Sequence, residues 1–208
     1  MSKPLFSVIV PAHNAEEFIE KGLHSIKMQT FTDYELIVVC DRCTDRTAEI
    51  AAGYADKVLI RDFGLDGLAR NAGIEAAEGE WLLFMDHDDW FLHEFVFQQI
   101  ADAIKARSTD CLDVLLFDFI WKGRRYHSQL RNGAVIAVWS KCWRREFVGD
   151  TRFSDLPHWS DVGFARAMWD KCPVYAFMNY PVYYYNYLMP GSISWREKQG
   201  EIEGYKEG

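Results

Sequence analysis

The sequence predicts an α/β fold: a mostly parallel central sheet flanked by helices, with a smaller mixed portion towards the C-terminus. Two observations predict it. Through residues 1–120, short apolar, β-branched runs alternate with amphipathic helical segments. The runs are continuous rather than alternating, as in strands covered on both faces, and the intervals between them suit right-handed crossovers.

Each element follows from local patterning. "LFSVIV" (5–10) reads as the first strand, stopped by Pro11. Asn14 reads as the N-cap, with Glu16 and Glu17 in the first turn, of a helix whose Ile19, Leu23 and Ile26 share one face. "YELIVV" (34–39) is a second strand, and Asp45 caps the helix that follows. "KVLIR" (57–61) is a third strand, and Asp66 caps a helix carrying Leu68, Ala72, Ile74 and Ala76 to Gly79, a residue suited to a helix C-terminus. "EWLLFM" (80–85) is a fourth strand. A helix from about His93 turns Phe91, Phe95, Val96, Ile100 and Ile104 inward, and "LDVLLFDF" (112–119) is a fifth strand.

The second half is less regular. "AVIAVWSKCWRREFV" suggests a strand leading into a short helix, and "HWSDVGFARAMWDKC" a helix with Val162, Phe164, Ala165, Met168 and Trp169 as its apolar set. "VYAFMNYPVYYYNYLMPGSISW" suggests two short strands and a flexible, glycine-containing end. The expected organisation is one continuous domain, residues 1–120 forming the α/β half and 121–208 the smaller half.

Composition narrows the classes. At 49% hydrophobic and 15% aromatic, 208 residues can bury a substantial core, which excludes a disordered or fibrous chain. The formal charge of −8, with no basic run beyond "KGRRYH" (122–127), argues against nucleic acid as ligand. An anionic ligand would then need a bound cation. The odd cysteine count (40, 43, 111, 142 and 172), with a single C-x-x-C, reads as reduced thiols and a cytoplasmic address. "MSKPLFSVIV" is too short and polar for a signal peptide, and no apolar stretch approaches the roughly 20 residues of a transmembrane helix. The expectation is a soluble protein with, at most, peripheral contact at the inner face of a membrane.

Parallel sheets bind ligands beyond the carboxyl ends of their strands. That rule gathers "PAHN", "CDRCTD", "RDFGLDG" and "DHDD" on one rim. The last places Asp86, Asp88 and Asp89, with His87 between, at the tip of a core strand. Like charges about 4 Å apart repel by roughly 4 kcal/mol at an effective dielectric near 20. A hard cation, Mg²⁺ or Mn²⁺, would relieve them and could share open positions with a diphosphate. The competing explanation is a solvated acidic loop, with Asp89 capping the next helix. Asp41 can accept the imide N–H of a uracil ring, or simply form a turn. Arg70 in "ARNAG" can reach a diphosphate, or form a surface ion pair. "PAHN" offers backbone groups and the His13 ring for stacking. Asp161 is either a general base or a helix-start residue.

In register, these motifs resemble the family-2 glycosyltransferases of the GT-A fold, a Rossmann-like architecture. "SVIVPAHN" matches a strand ending in Val-Pro with Asn shortly after; "MQTF" (28–31) matches Gln-Thr before an aromatic. "VVCDRCTDRT" stands where the family has Asp-Asp-Gly-Ser-Thr-Asp, "ARNAG" where it has Ala-Arg-Asn-x-Gly, and "GEWLLFMDHDD" where it has Gly-Glu-Tyr-Ile-x-Phe-x-Asp-x-Asp-Asp. "SD" (160–161) stands for a late Glu-Asp, and "YPVYYYNYLMPGSIS" is similar to a Pro-x-Tyr-x-Tyr…Gly-Ser-Ile segment.

The resemblance implies a metal-dependent, inverting transfer of a sugar from a nucleotide-diphosphate sugar, UDP being the expected nucleotide. The acceptor would be a hydroxyl of a saccharide or glycolipid in polysaccharide or glycoconjugate synthesis, and the cofactor Mn²⁺ or Mg²⁺. By the same likeness Pro11, Ala12, His13, Asn14 and His87 line the donor site and Asp41 recognises the base. Arg70 lies near the diphosphate, Asp86 contacts the ribose or the metal, Asp88 ligates the metal, and Asp161 is the catalytic base. Cys40, Arg42-Cys43, Ser160 and Asn186 depart from the pattern, which bears on donor choice. A non-catalytic nucleotide-sugar-binding module stays open, as does a homo-oligomer. A metal-dependent nucleotidyltransferase is the lesser alternative, since "PAHNAEE" has no glycine and two acids where a triphosphate would be held.

Overall fold

The strand expected first, β1 (Phe6–Ala12), lies at the centre of a four-stranded parallel block in the computed structural model, which describes residues 3–107, 111–128, 137–186 and 199. Around it run α1 (Ile19–Lys27), β2 (Tyr34–Asp41), α2 (Thr47–Ala52), β3 (Lys57–Arg61), α3 (Asp66–Ala76) and β4 (Trp81–Phe84). The block is ordered β3-β2-β1-β4 with every contact parallel, as the alternating pattern requires.

β1 runs through Pro11 rather than stopping there. Ile9 faces β4, accepting from Met85 N–H (3.0 Å), so Pro11, two residues on, faces the same side beyond the end of β4. No ladder donor is needed at that point, and proline is tolerated.

Beyond β4 the sheet becomes mixed. The remaining elements are β5 (Trp90–Phe91), α4 (Val96–Ala106), β6 (Val114–Trp121), β7 (Arg124–Tyr126), a 3-10 turn (Val138–Ser140), β8 (Lys141–Arg144), α5 (Arg145–Val148), α6 (Ser160–Asp170) and β9 (Tyr175–Tyr185). β8 inserts antiparallel between β4 and β6, so β6 points the same way as β4. β9 is parallel to β6, and β5 closes the order antiparallel to β9.

Alternate residues of the strands feed two cores. Val8, Val10, Leu36, Val38 and Leu83 meet Ile19 and Leu23 of α1 and Val96 and Ile100 of α4. Ile9, Ile37, Val39, Leu82 and Phe84 meet Ala69 and Ala72 of α3 and Phe164 and Met168 of α6. Continuous apolar runs are what a sheet covered on both faces demands.

Several local expectations are corrected. Asn14 is not an N-cap: that position falls four residues later, at Phe18, and Asn14, at φ +45°, accepts from the backbone and hydroxyl of Thr44 instead. Asp45 does serve the start of α2, accepting Thr47 N–H at 3.0 Å, although it precedes the first turn by one residue more than expected. Gly79 does not end α3, which stops at Ala76; its N–H donates to Ser7 Oγ, joining β1 to the start of β4. Phe91 belongs to β5 and Phe95 is 50% exposed, so the inner face of α4 begins only at Val96. The two short strands expected at 174–185 are one strand whose register shifts around Asp118, an irregularity that a break at Pro181 had mimicked. The glycine-containing end beyond residue 186 and the start of "AVIAV" lie outside the described residues. The five cysteines are free, as the C-x-x-C reading anticipated. Among the described residues no helix is long and apolar enough to cross a membrane.

The packing of α3 on β1 yields a test. A Cβ at Gly73 would overlap the Cγ2 of buried Ile9. Glycine to alanine within a helix favours folding by about 1 kcal/mol, but overpacking a tight core costs about 1–3 kcal/mol. Ile9 is β-branched and cannot swing away. Gly73→Ala should therefore lower the melting temperature, measured by circular dichroism, despite alanine's better helix propensity.

Candidate functional site

The loop after β4 turns at once: Asp89 N–H donates to the carbonyl of Asp86 (3.1 Å), folding the "DHDD" segment back on itself. Asp86 and Asp88 are half-buried and Asp89 is fully buried. Desolvation lifts the Asp88 carboxyl above the usual range; His87 opposes the lift and Asp86 adds to it. Asp89 is raised further, again by desolvation first and then by Asp86 and Asp88. It does not cap α4. Its Oδ2 accepts the Tyr183 hydroxyl (2.6 Å) and its Oδ1 accepts the backbone N–H of Asn186 (2.7 Å).

Arg70, on α3, is buried rather than a surface residue. Its Nη2 donates to Asp86 Oδ1 (2.8 Å), its Nη1 pairs with Asp66, and its plane stands over Phe153. Burial alone would weaken its hold on the proton, but Asp66, Asp86 and Asp161 more than reverse this. Its Nε is buried without a partner among the described residues. The same helix contributes Asn71, whose amide exchanges two hydrogen bonds with the backbone of Phe153 (2.9 and 2.8 Å) and so fastens the second half of the chain to the first.

Asp161, second residue of α6, reaches this cluster from the far half of the sequence. Its carboxyl is pushed up to about 6, by desolvation first; Arg70 pulls it down while Asp86 and Asp66 push it up. Ser160 beside it donates to Asp66 Oδ1 (3.4 Å). Fully buried Lys141 on β8 also lies within the field of Asp161; burial holds its amine down at about 7.

The loops after β1 and β2 form a second group. Asp41 is buried, and its carboxylate accepts the backbone N–H groups of Phe63 (2.6 Å) and Leu65 (3.0 Å), thereby tying down the loop after β3. The exposed His13 ring meets the Asp41 carbonyl through Nδ1 (2.7 Å), and the Ala12 carbonyl accepts the Cys43 thiol (3.4 Å). The structure thus brings Arg70, Asp86 and Asp161 into one charge network, and places Pro11, Ala12, His13, Asn14 and Asp41 together at the ends of β1 and β2.

Three residues escaped the sequence reading. Asp66 was read only as a cap, Asn71 as part of a motif, and Tyr183 as one of several tyrosines. The i, i+4 spacing of Asp66 and Arg70 was the available signal for the first; nothing local marks the others. Among the described residues no group of three or more His, Cys, Asp or Glu forms a ready-made metal cage. The hard oxygens of Asp86 and Asp88 instead suit a cation that takes its remaining ligands from water and phosphate.

Comparison with known proteins settles the class. The model for "Glycosyl transferase family 2" matches residues 7–169. The chain belongs to that family. It is similar to the Bacillus subtilis putative glycosyltransferase EpsH, 27% identical over 96% of this chain and 65% of EpsH. The B. subtilis uncharacterized glycosyltransferase EpsJ is 38% identical over 51% of this chain and 32% of its own length. The crystal structure of Staphylococcus aureus TarS 1–349 in complex with UDP-GlcNAc superposes with a TM-score of 0.75 at 26% identity, covering 86% of this chain and 58% of that one. The chain therefore spans only part of the length of these relatives, and its sheet is that of the GT-A glycosyltransferases.

In this family-2 chain Asp41 has a structural duty that can be measured. Asp41→Ala would remove the acceptor of two part-buried backbone N–H groups, each such hydrogen bond being worth about 0.5–1.5 kcal/mol net. Amide exchange of residues 62–65 should accelerate, and Asp41→Asn, which keeps one acceptor oxygen, should fall between the two.

Proposed function

We propose that this protein is an inverting glycosyltransferase that moves a sugar from a UDP-linked donor to an acceptor hydroxyl, assisted by Mn²⁺ or Mg²⁺. The observation that carries the proposal is that Asp161, more than seventy residues beyond the "DHDD" loop, lands in the same charge network as Asp86 and Arg70. The TarS complex with UDP-GlcNAc supports UDP as the nucleotide.

In this reading Pro11, Ala12, His13, Asn14 and Asp41 receive the base, with His13 presenting its exposed ring. Asp86 and His87 border the ribose and diphosphate, and Arg70 orients Asp86 while offering its charge to the phosphates. Asp88, with Asp86, holds the divalent cation, which supplies positive charge against the leaving diphosphate. Asp161 takes the proton of the acceptor hydroxyl. The freed oxygen bonds to the anomeric carbon as the bond from that carbon to the diphosphate oxygen breaks, the electron pair leaving with UDP. One displacement from the opposite face inverts the configuration. The acceptor, a saccharide or glycolipid, approaches from the side on which α6 presents Asp161. A nucleotide-sugar-binding module without turnover would hold UDP equally well and release none from UDP-sugars.

The first test is UDP release from a panel of UDP-sugars with Mn²⁺ or Mg²⁺; no release with any acceptor would overturn the proposal. A base must be ionised, so turnover should fall as pH drops through about 6, the value to which Asp161 is raised. Asp161→Asn should abolish that inflection and lower kcat by ~10²-fold or more, with donor affinity kept. Asp88→Ala should weaken UDP binding, followed by calorimetry, only when the cation is present. Equal weakening in EDTA would make Asp88 a structural residue.

A further inference from the structure

Tyr183 and Asp89 take no part in the steps above, yet both are fully buried against the loop that carries them out. The Tyr183 hydroxyl donates to Asp89 Oδ2 (2.6 Å) and accepts the backbone N–H of Asp86 (3.1 Å). One oxygen on β9 therefore holds both ends of the "DHDD" segment. The ring that bears it is locked: it stacks on Trp139 (4.9 Å, 10° between planes) and meets Phe91 edge-on (5.7 Å, 85°). The other carboxylate oxygen of Asp89 accepts Asn186 N–H, so the loop is tied to the end of β9 at a second point. From the opposite side α1 presses on the loop through Gly22, where a Cβ would come within 2.6 Å of the Asp89 carbonyl oxygen.

We propose that Tyr183 and Asp89 are a positioning pair: they fix the height and direction of Asp86 and Asp88 at the rim, and Asp89 is a tie to the last strand rather than a third cation ligand. Geometry favours this division. Asp89 has each oxygen engaged by a donor from β9 or from the residue that follows it. Among the described residues no donor from β9 reaches the Asp88 side chain, which meets its own backbone N–H instead. The inference rests on the proposed function only for its kinetic consequence, since the clamp itself can be read without turnover.

Tyr183→Phe is the sharp variant, because the ring and its stack on Trp139 remain while the shared oxygen is lost. Amide exchange across residues 85–89 should accelerate. The Mn²⁺ concentration giving half-maximal UDP release should rise about tenfold or more, the scale seen when an outer-shell partner is lost. The pH inflection of turnover, belonging to Asp161, should stay in place. Asp89→Asn, which keeps one acceptor oxygen, should move both readouts in the same direction, and the double variant should fall short of the sum of the two, as for residues that share a contact. Ile100→Val, a core change in α4, serves as the stability control. Wild-type exchange and Mn²⁺ dependence in Tyr183→Phe and Asp89→Asn, or equal changes in the control, would overturn the inference. If the wild-type protein releases no UDP, the functional reading fails while the exchange measurement still decides the clamp.

Discussion

A single buried guanidinium makes the rim of this sheet tenable. Arg70 pairs with Asp66 and Asp86 and lies within the field of Asp161, so three carboxylates from three places in the chain share one fixed positive charge. Taking an ion out of water costs several kcal/mol even after relaxation, and a lone buried arginine would not be kept. Nor would three carboxylates converge without it. Each makes the burial of the other acceptable, and α3 supplies the geometry. Glycine at 73 lets the helix sit close on β1, while Asn71 binds the backbone ahead of α6 and brings Asp161 within range.

The balance of charge at the rim is incomplete, and the function follows from that. Among the described residues neither Asp88 nor Asp161 forms an ion pair, and both carboxyls are lifted above their usual range. A carboxyl lifted by burial at the start of a helix, as Asp161 is, has the character that the proposed role of proton acceptor requires. A lifted carboxyl on a strand-tip loop is a place where a cation gains more than solvent would offer. In the proposed function the two halves of the chain would divide the work, with β1, β2 and β4 on the side of the nucleotide and α6 bringing Asp161 to the rim.

Much of this was legible locally. Continuous apolar runs identified β1, β2, β3, β4 and β6 because a strand buried on both faces has no polar side to show. Asp86, Asp88 and Asp161 could be singled out because their motifs lie in register with a family pattern. What escaped was the set of tertiary contacts that gives motif residues their reasons. Gln29 looked like an arbitrary motif letter; its amide in fact joins the end of α1 to the backbone of His93 and Phe97. Asn14 was misread because an Asn near a helix start is an N-cap by default, and only the fold reveals that Thr44 competes for its oxygen.

The sequence alone determined which segments become strands, their parallel arrangement up to β4, and the chemical character of the rim, since apolar periodicity and the order of carboxylates are properties of the chain. Tertiary structure decided that Arg70 is buried between two acids, that Asp89 turns away from its neighbours towards Tyr183, and that β8 enters antiparallel between β4 and β6. Those outcomes depend on contacts that span the chain: Asp86 lies 16 positions from Arg70, and Tyr183 lies 94 from Asp89. Local pattern cannot specify such contacts, because their energies exist only once the sheet has brought the partners together.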